Sequence, residues 1–253
     1  MLSKLNNHKR DQNITFKEEG HIYQIKNENS FFNPISVTTI IHKFFPDFNA
    51  DLIIDKMFKS NRLAEKYKGK TKEEIKKEWE ENGRIASELG TKMHADIERF
   101  LNQEDVLDEN TIEFKFFLNF WNSFITQYPN YKPYRTEWLV YDEDRRIAGS
   151  IDCSLESENG DIILIDWKRS KEIKCENKYE KGHFPFEMLD NCNYNHYMLQ
   201  LNIYRHILET KYNKKIIYMM LVILHPNNQN YKCIPIPKYN INDIWNQITE
   251  HKH

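Results

Sequence analysis

The chain has 253 residues and a mass of 30.7 kDa, enough to bury one full core with helical additions but too short for two large domains. A formal net charge of −2 excludes a globally basic, nonspecific nucleic-acid coat, so any phosphate contacts must come from local clusters. The longest apolar run, IIYMMLVIL at 216–224, is about half of the roughly 20 residues that a membrane helix needs and reads as a buried strand.

The first residues, MLSKLNNHKR, hold no apolar segment of the kind a secretory signal requires and match an Arg-rich transit peptide poorly. We therefore expect an intracellular protein (cytoplasm, nucleus or a viral replication site), neither secreted nor tied to a membrane. Residues 14–26 and 31–33 read as short strands about an Asn-rich turn, and Ser36 as the cap of a helix, VTTIIHKFF, that stops before Pro46. Charged, helix-favouring sequence runs over 71–101 with Gly83 as a candidate break, and 111–127 gives a helix rich in Phe and Trp. Three consecutive strands follow at 136–141, 146–156 and 161–168, joined by turns at DED and SENG. A helix near 194–209 and a strand at 216–225 complete the pattern.

Helix, three strands, helix, strand is the order of an α/β (α+β) fold with a mixed central sheet flanked by helices. Residues 1–82 then form an N-terminal hairpin and helical addition to a core of residues 83–253, the whole a single compact unit. Neither a repeat nor a Gly/Ser-rich linker marks a boundary. Cys153, Cys175, Cys192 and Cys233 form no C-x-x-C pair, so neither a zinc ribbon nor a disulfide framework is indicated.

The run ILIDWKRS, 163–170, begins as a central strand and ends in Asp-Trp-Lys. Alternation puts Asp166 and Lys168 on one face and Trp167 on the other. The SENG turn sets what lies opposite. A three-residue loop, Glu158-Asn159-Gly160 with Gly160 left-handed, pairs Ser157 with Asp161 and sets Asp152 across from Asp166. A two-residue Asn159-Gly160 turn instead sets Asp152 across from Trp167, on the other face from Asp166, and dissolves the arrangement. In the first register two facing carboxylates repel unless a cation lies between them, and a divalent ion removes the conflict. Hard oxygen ligands for Mg²⁺ or Mn²⁺ beside an ammonium are the equipment of phosphodiester hydrolysis. Taken alone, D-W-K at a strand end is commonly a surface salt bridge, and the basic run Lys168, Arg169, Lys171, Lys174 commonly a solvated face.

The segment GTKMHADIERFL, 90–101, adds a helix. Ile85, Leu89, Met93, Ile97 and Leu101 form an apolar ridge expected to pack, while Ala86, Gly90, His94 and Glu98 form the ridge beside it, whose small residues permit close approach to the sheet. His94 and Glu98 would then project toward the strand ends. The bland alternative is a satisfied core histidine and an ordinary helix pair.

In the order His94, then G-S-I-D ending at Asp152, then I-D-W-K with Asp166 and Lys168, then Q-L-N-I-Y with Gln200 and Tyr204, residues 83–225 resemble the RecB-type branch of the PD-(D/E)XK nucleases. An S-V-T-x-I-I helix start at Ser36 and W-x-x-x-G over 79–83 are similar to the mitochondrial genome maintenance exonuclease group and its viral relatives. The resemblance implies a restriction-endonuclease-like core and a role for each matched residue. Asp152, Asp166 and His94 would be metal ligands, joined by the main-chain carbonyl of Trp167. Lys168 would be the catalytic lysine, and Gln200 and Tyr204 would lie beside the active site and orient it. Glu98 or Glu137 would supply a second-metal or outer-shell group, and the motif does not fix which. The cluster cysteines of iron-sulfur relatives have no match.

The function this implies is a Mg²⁺- or Mn²⁺-dependent deoxyribonuclease, an exonuclease on single-stranded DNA or DNA ends, serving DNA repair or replication. Asn, Lys and Ile are abundant, as in AT-rich genomes such as some viral ones. An RNA endonuclease with the same metal site is the alternative enzyme. A catalytically silent nucleic-acid-binding subunit is the alternative of another class. Tyr23, Phe44, Phe45, Phe117 and Trp121 are candidates for stacking unpaired bases, with core packing the expectation for most.

Overall fold

The computed structural model describes residues 1–27, 30–60 and 64–241. A short helix α1 (Leu2–Leu5) precedes a three-stranded antiparallel sheet of β1 (Ile14–Lys17), β2 (Ile22–Lys26) and β3 (Phe31–Phe32). Glu28 and Asn29, in the expected Asn-rich turn, lie outside the described residues, as does 242–253 of the expected core. Strand β4 (Ile35–Ser36) runs into α2 (Val37–His42), whose start is fixed by the Ser36 hydroxyl accepting from the Thr39 N–H at 3.0 Å. This helix ends earlier than expected, and Phe45 turns inward onto Phe186 and His196. Helix α3 (Ala50–Lys59) follows.

Helix α4 (Lys72–Leu101) opens on a capping box between Thr71 and Glu74 and runs for 30 residues without interruption. Gly83 does not break it, because a single glycine costs a helix only about 1 kcal/mol and 29 other residues propagate it. The expected division between residues 82 and 83 therefore falls inside one helix. The expected ridge also differs from the observed one. Met93, Ile97 and Leu101 are buried, but Ile85 and Leu89 are 41% and 40% exposed, and a β-carbon at Gly90 would meet nothing within 4 Å. Over 80–89 the helix stands in solvent on every side, so its small residues accommodate no sheet. Its first turns instead hold a separate small core in which Ile75 packs with Ile54 and Tyr67.

Helix α5 (Ile112–Gln127) precedes β5 (Tyr131–Asp142), β6 (Ile147–Ser157) and β7 (Asp161–Lys168). Helix α6 (Asn193–Lys211), β8 (Lys215–Ile223) and β9 (Lys232–Pro235) close the described chain. Strands β4 to β9 make one mixed sheet in which the pairs β4–β6 and β7–β8 are parallel while β5–β6, β6–β7 and β8–β9 are antiparallel. The architecture is α/β with helices on both faces of the sheet. Ile162, Leu164 and Leu221 pack with α6 and α2 on one side; Ile163, Ile165, Trp167 and Val222 pack with α4 and α5 on the other. Asp166 and Lys168 thus belong, by alternation, to the α6 side. Besides the helices α1 and α3, two strands were not anticipated. Strand β4 is two residues long and pairs in parallel with Ile147–Ala148, and β9 is a four-residue edge. Neither is long enough to show a periodicity of its own.

Candidate metal centre

The site begins at the SENG turn. Gly160 takes φ 79°, its N–H bonded to the Ser157 carbonyl at 2.9 Å, and the ladder runs Cys153↔Ile165, Leu155↔Ile163. This is the three-residue-loop register, and continued by one position it sets Asp152 across from Asp166. The ladder stops there for a reason. Strand β5 occupies the whole of one edge of β6, so β4 and β7 share the other, at Ile147–Ala148 and Cys153–Glu156. Residues 149–152 line the opening between them. In that opening the Asp152 carboxylate replaces a ladder acceptor, Oδ2 taking the Trp167 N–H at 2.8 Å. Helix α4 delivers His94 to the same place, with Nε2 3.0 Å from the Trp167 carbonyl oxygen.

Glu137 faces the opening from β5. It holds φ 42° in the middle of a strand, a conformation that costs a non-glycine residue about 1–2 kcal/mol. The distortion changes which side the neighbours face. Paired Thr136 and Cys153 precede it and Cys153 lies in the α4–α5 core, whereas paired Trp138 and Ile151, two residues on, both lie in the α6 core. The same twist aims the Glu137 carboxylate at His94, Oε1 standing 3.5 Å from Nδ1, while the Ser150 hydroxyl donates to Oε2 at 2.7 Å.

A carbonyl can only accept, so His94 Nε2 carries a hydrogen. In the neutral ring Nδ1 then presents a lone pair to Glu137 Oε1 at 3.5 Å and to Asp152 Oδ2 at 3.7 Å. These separations exceed an aligned N–H···O bond of about 2.9 Å. They fall within the roughly 3–4 Å that separates ligand atoms each about 2.1 Å from one ion. His94, Glu137 and Asp152 offer ligand atoms all within 4.8 Å of one another.

The electrostatics follow from this crowding. Burial and then the nearby Asp166 raise the Asp152 carboxyl to about 7. Burial works to lower the His94 imidazolium, but Asp152 and Glu137 outweigh it and raise it to about 9. For Glu137, burial pushes upward, and His94 with Ser150 overcomes it and brings the group below its ordinary range. Protons on Asp152 and His94 thus take up part of the charge that the three groups share.

Asp166 stands apart from that trio. Lys168 Nζ lies 2.7 Å from its Oδ2 as an ion pair off the line of an aligned hydrogen bond, so this buried oxygen has no aligned donor. Burial works against the Lys168 charge, and Asp166 and Asp152 more than restore it. The ammonium also lies 4.7 Å from the centre of the Tyr197 ring. Gln200 and Tyr204 are both buried on α6, the amide donating to the phenol at 3.4 Å. Tyr204 packs on the glycine of G-S-I-D, where a β-carbon at Gly149 would fall 2.6 Å from its hydroxyl.

Of the expected residues, His94, Asp152 and the Trp167 main chain meet directly, the Asp166–Lys168 pair lies beside them, and Gln200 and Tyr204 pair with each other behind Gly149. Of the two alternatives for a further acid, Glu137 belongs to the trio that could hold a metal ion. Glu98 lies outside it, though Glu137 helps its own burial to raise its carboxyl. In the basic run, Arg169 is tied to Glu113 at 2.7 Å while Lys171 and Lys174 are exposed. Of the aromatic candidates, Tyr23, Phe45, Phe117 and Trp121 are buried and Phe44 packs on the core. Sequence reasoning assigned nothing to Ser150 or Tyr197. Ser150 is the central polar residue of G-S-I-D, and Tyr197 lies one turn before Gln200, the only signals either residue gave.

The donor set suits a hard divalent cation: carboxylate oxygens with one imidazole, a carboxylate excess, and no thiolate. No protein-family model and no curated protein matches the chain. A solved structure titled "Crystal structure of SSO0001" is similar with a TM-score of 0.31 at 14% identity, over 89% of this chain and 76% of that one. Among the described residues no helix is long and apolar enough to cross a membrane.

Proposed function

We propose that the chain is a metal-dependent nuclease that hydrolyses DNA phosphodiester bonds, with a PD-(D/E)XK core of the RecB type and Mg²⁺ or Mn²⁺ as its cofactor. The single observation that supports this best is the convergence of His94, Glu137 and Asp152 in the opening beside the Asp166–Lys168 pair. A surface salt bridge at the end of β7 would need none of the other three. His94 Nδ1, Asp152 and Glu137 would hold the ion, and the resemblance adds Asp166 and the Trp167 carbonyl. Bound there, a divalent ion supplies a polarised phosphate and a more acidic water.

The rest is the work of the chain's own groups. Lys168 is held as an ammonium, three donors on a stem 18% exposed, where negative charge grows on the scissile phosphate. The main chain of Trp167 fixes two groups at once, its N–H orienting Asp152 and its carbonyl fixing the His94 tautomer. Ser150 orients Glu137. Tyr204, wedged on Gly149, holds β6 at the mouth of the opening. The preference for single strands or ends, and a place in DNA repair or replication, rest on the resemblance alone.

The test is cleavage of labelled single-stranded DNA, duplex DNA and RNA with Mn²⁺, Mg²⁺ or chelator. Metal-dependent cleavage of DNA, faster on single strands or from ends, is expected. Cleavage of RNA alone would replace this reading with the RNA endonuclease. Binding without cleavage of any of the three would favour the silent subunit.

A further inference from the structure

We infer that Tyr197 is a positioning residue for Lys168, its ring face holding the ammonium over the site when Asp166 turns toward the metal. The inference rests on the proposed nuclease site and deepens it. Two groups hold the Lys168 ammonium: the Asp166 carboxylate at 2.7 Å and the Tyr197 ring at 4.7 Å. They are not equivalent once an ion is present. The Asp166 carboxylate, held at Oδ2 by the Lys168 ion pair with no other partner among the described residues, would be open to competition from a divalent cation bound beside Asp152. An ammonium that lost its only anchor would swing toward solvent, since four stem torsions are free and its charge is better hydrated outside.

The ring cannot be drawn away by the metal. It offers a negative face and no ligand atom to compete for, and such contacts strengthen where water is excluded. It is also firmly placed. Tyr197 is half-buried, packs against the core on the α6 side, and lies on the helix that carries Gln200 and Tyr204. One helix thus fixes both the strand bearing Asp152, through Tyr204 on Gly149, and the lysine of the next strand, through Tyr197. The hydroxyl is not part of this account, so phenylalanine should serve nearly as well.

The first readout needs no activity. In protein labelled with ¹³C at lysine ε-carbons, the Lys168 signal is assigned by its loss in Lys168→Arg. It should be shifted upfield by the ring relative to exposed lysines, remain so in Tyr197→Phe, and move to the exposed position in Tyr197→Leu. On adding Mg²⁺ to the wild type the upfield shift should persist; its loss would overturn the inference even if the enzyme cleaves DNA. The second readout is single-turnover cleavage with Mn²⁺. Tyr197→Leu should lower the rate constant about tenfold with DNA affinity unchanged, and Tyr197→Phe should recover it to within about threefold. Equal losses in both variants would transfer the role to the hydroxyl, and an unchanged rate in Tyr197→Leu would end it. A wild type that never cleaves would remove the nuclease reading and leave the ring-contact result to stand separately.

Discussion

Two charge clusters lie on the same pair of strands, and they are built oppositely. At the β5–β6 turn, Asp142, Glu143 and Asp144 meet Arg10, Arg145 and Lys211. Arg10 pairs with Glu143 at 2.5 Å, Arg145 with Asp142 at 2.7 Å and Lys211 with Asp144 at 2.5 Å. Lys211 brings Asp144 below its ordinary range, and Arg10 does so for Glu143 against the effect of burial. A few residues back along β5 the opening gathers Glu137, Asp152 and Asp166 around one lysine and one histidine, and there Asp152 is pushed up to about 7. The turn cluster is closed, acid for base. The cluster in the opening is short of positive charge, strained at Glu137, and takes protons to make up the difference. A closed cluster serves the fold; an open one has room for an ion.

The largest effect that separates the two clusters is on cleavage. Lys168→Ala should lower turnover by roughly 10²-fold or more, the scale for losing one electrostatic stabiliser, with DNA affinity within a few-fold because phosphate contacts are spread over many groups. Lys211→Ala, an equally well paired lysine, should leave both unchanged. Single-turnover rates and filter binding on the three proteins decide the matter, and a Lys168→Ala rate equal to the wild type would return Asp-Trp-Lys to an ordinary strand end.

How much of this was legible in the sequence depends on the range over which each feature is fixed. SENG narrowed the register to two, because a left-handed Gly160 suits both a three-residue loop and a two-residue turn, and only the ladder selects the one that sets Asp152 across from Asp166. The cap at Ser36 was legible because it too is a local feature, and the helices expected from 71 and 111 open there on Thr71 and Thr111 as caps. The α4 ridge was not. A four-residue period shows that Ile85 and Leu89 share a face with Met93, but whether anything covers that face depends on elements remote in sequence. Glu137 was only one of two candidates, since no local pattern predicts a left-handed glutamate within a strand. Tyr197 reads as any aromatic on a buried helix until Lys168 is placed beside it.

Next in size is the response to pH without metal. Asp152 rises from 3.8 to about 7 on folding, so the folded state holds a proton that the unfolded chain has released. Its contribution is full below pH 4 and is lost as pH rises toward 7. His94, raised from 6.5 to about 9, extends the loss through that second window. At about 1.4 kcal/mol per unit the Asp152 part of the fall amounts to a few kcal/mol. Glu143 and Asp144 of the turn have the opposite sign: lowered on folding, they stabilise above the unfolded carboxyl range and lose that contribution only in stronger acid. His196, held down to about 4 by burial, also slopes the other way between pH 4 and 6.5, so the informative quantity is a difference. In chelator, wild type minus Asp152→Asn should decline from pH 4 to 7. A flat difference in urea melts across that range would show that the opening carries no excess of negative charge.

A smaller contrast comes from neutralising one acid in each cluster at neutral pH. Asp142 is fully buried and accepts from the N–H groups of Asp144 and Arg145 as well as pairing with Arg145. Asp142→Asn leaves buried positive charge and should cost about 2–3 kcal/mol. Asp152→Asn in chelator removes a repelling carboxylate while its amide oxygen can still accept from Trp167, and should raise stability by about 1 kcal/mol. Denaturation of the pair gives opposite signs if the clusters differ as described, and the same sign if they do not.

The smallest effect isolates the strain. Glu137→Gln and Glu137→Asn both remove the charge, both shorten the list of acids by one, and both keep an amide near Ser150. They differ in how they tolerate φ 42°, because asparagine enters the left-handed region several-fold more readily than a longer side chain. In chelator at neutral pH, Glu137→Asn should therefore exceed Glu137→Gln in stability by about 0.5–1 kcal/mol. A control is available in the turn cluster, where no acid sits on a left-handed backbone and an Asn/Gln pair at Glu143 should show no such gap. If the gap at position 137 is absent, the backbone there relaxes without cost. The glutamate would then be aimed at His94 by its rotamer alone, and strain would drop out of the account of how the opening differs from the turn.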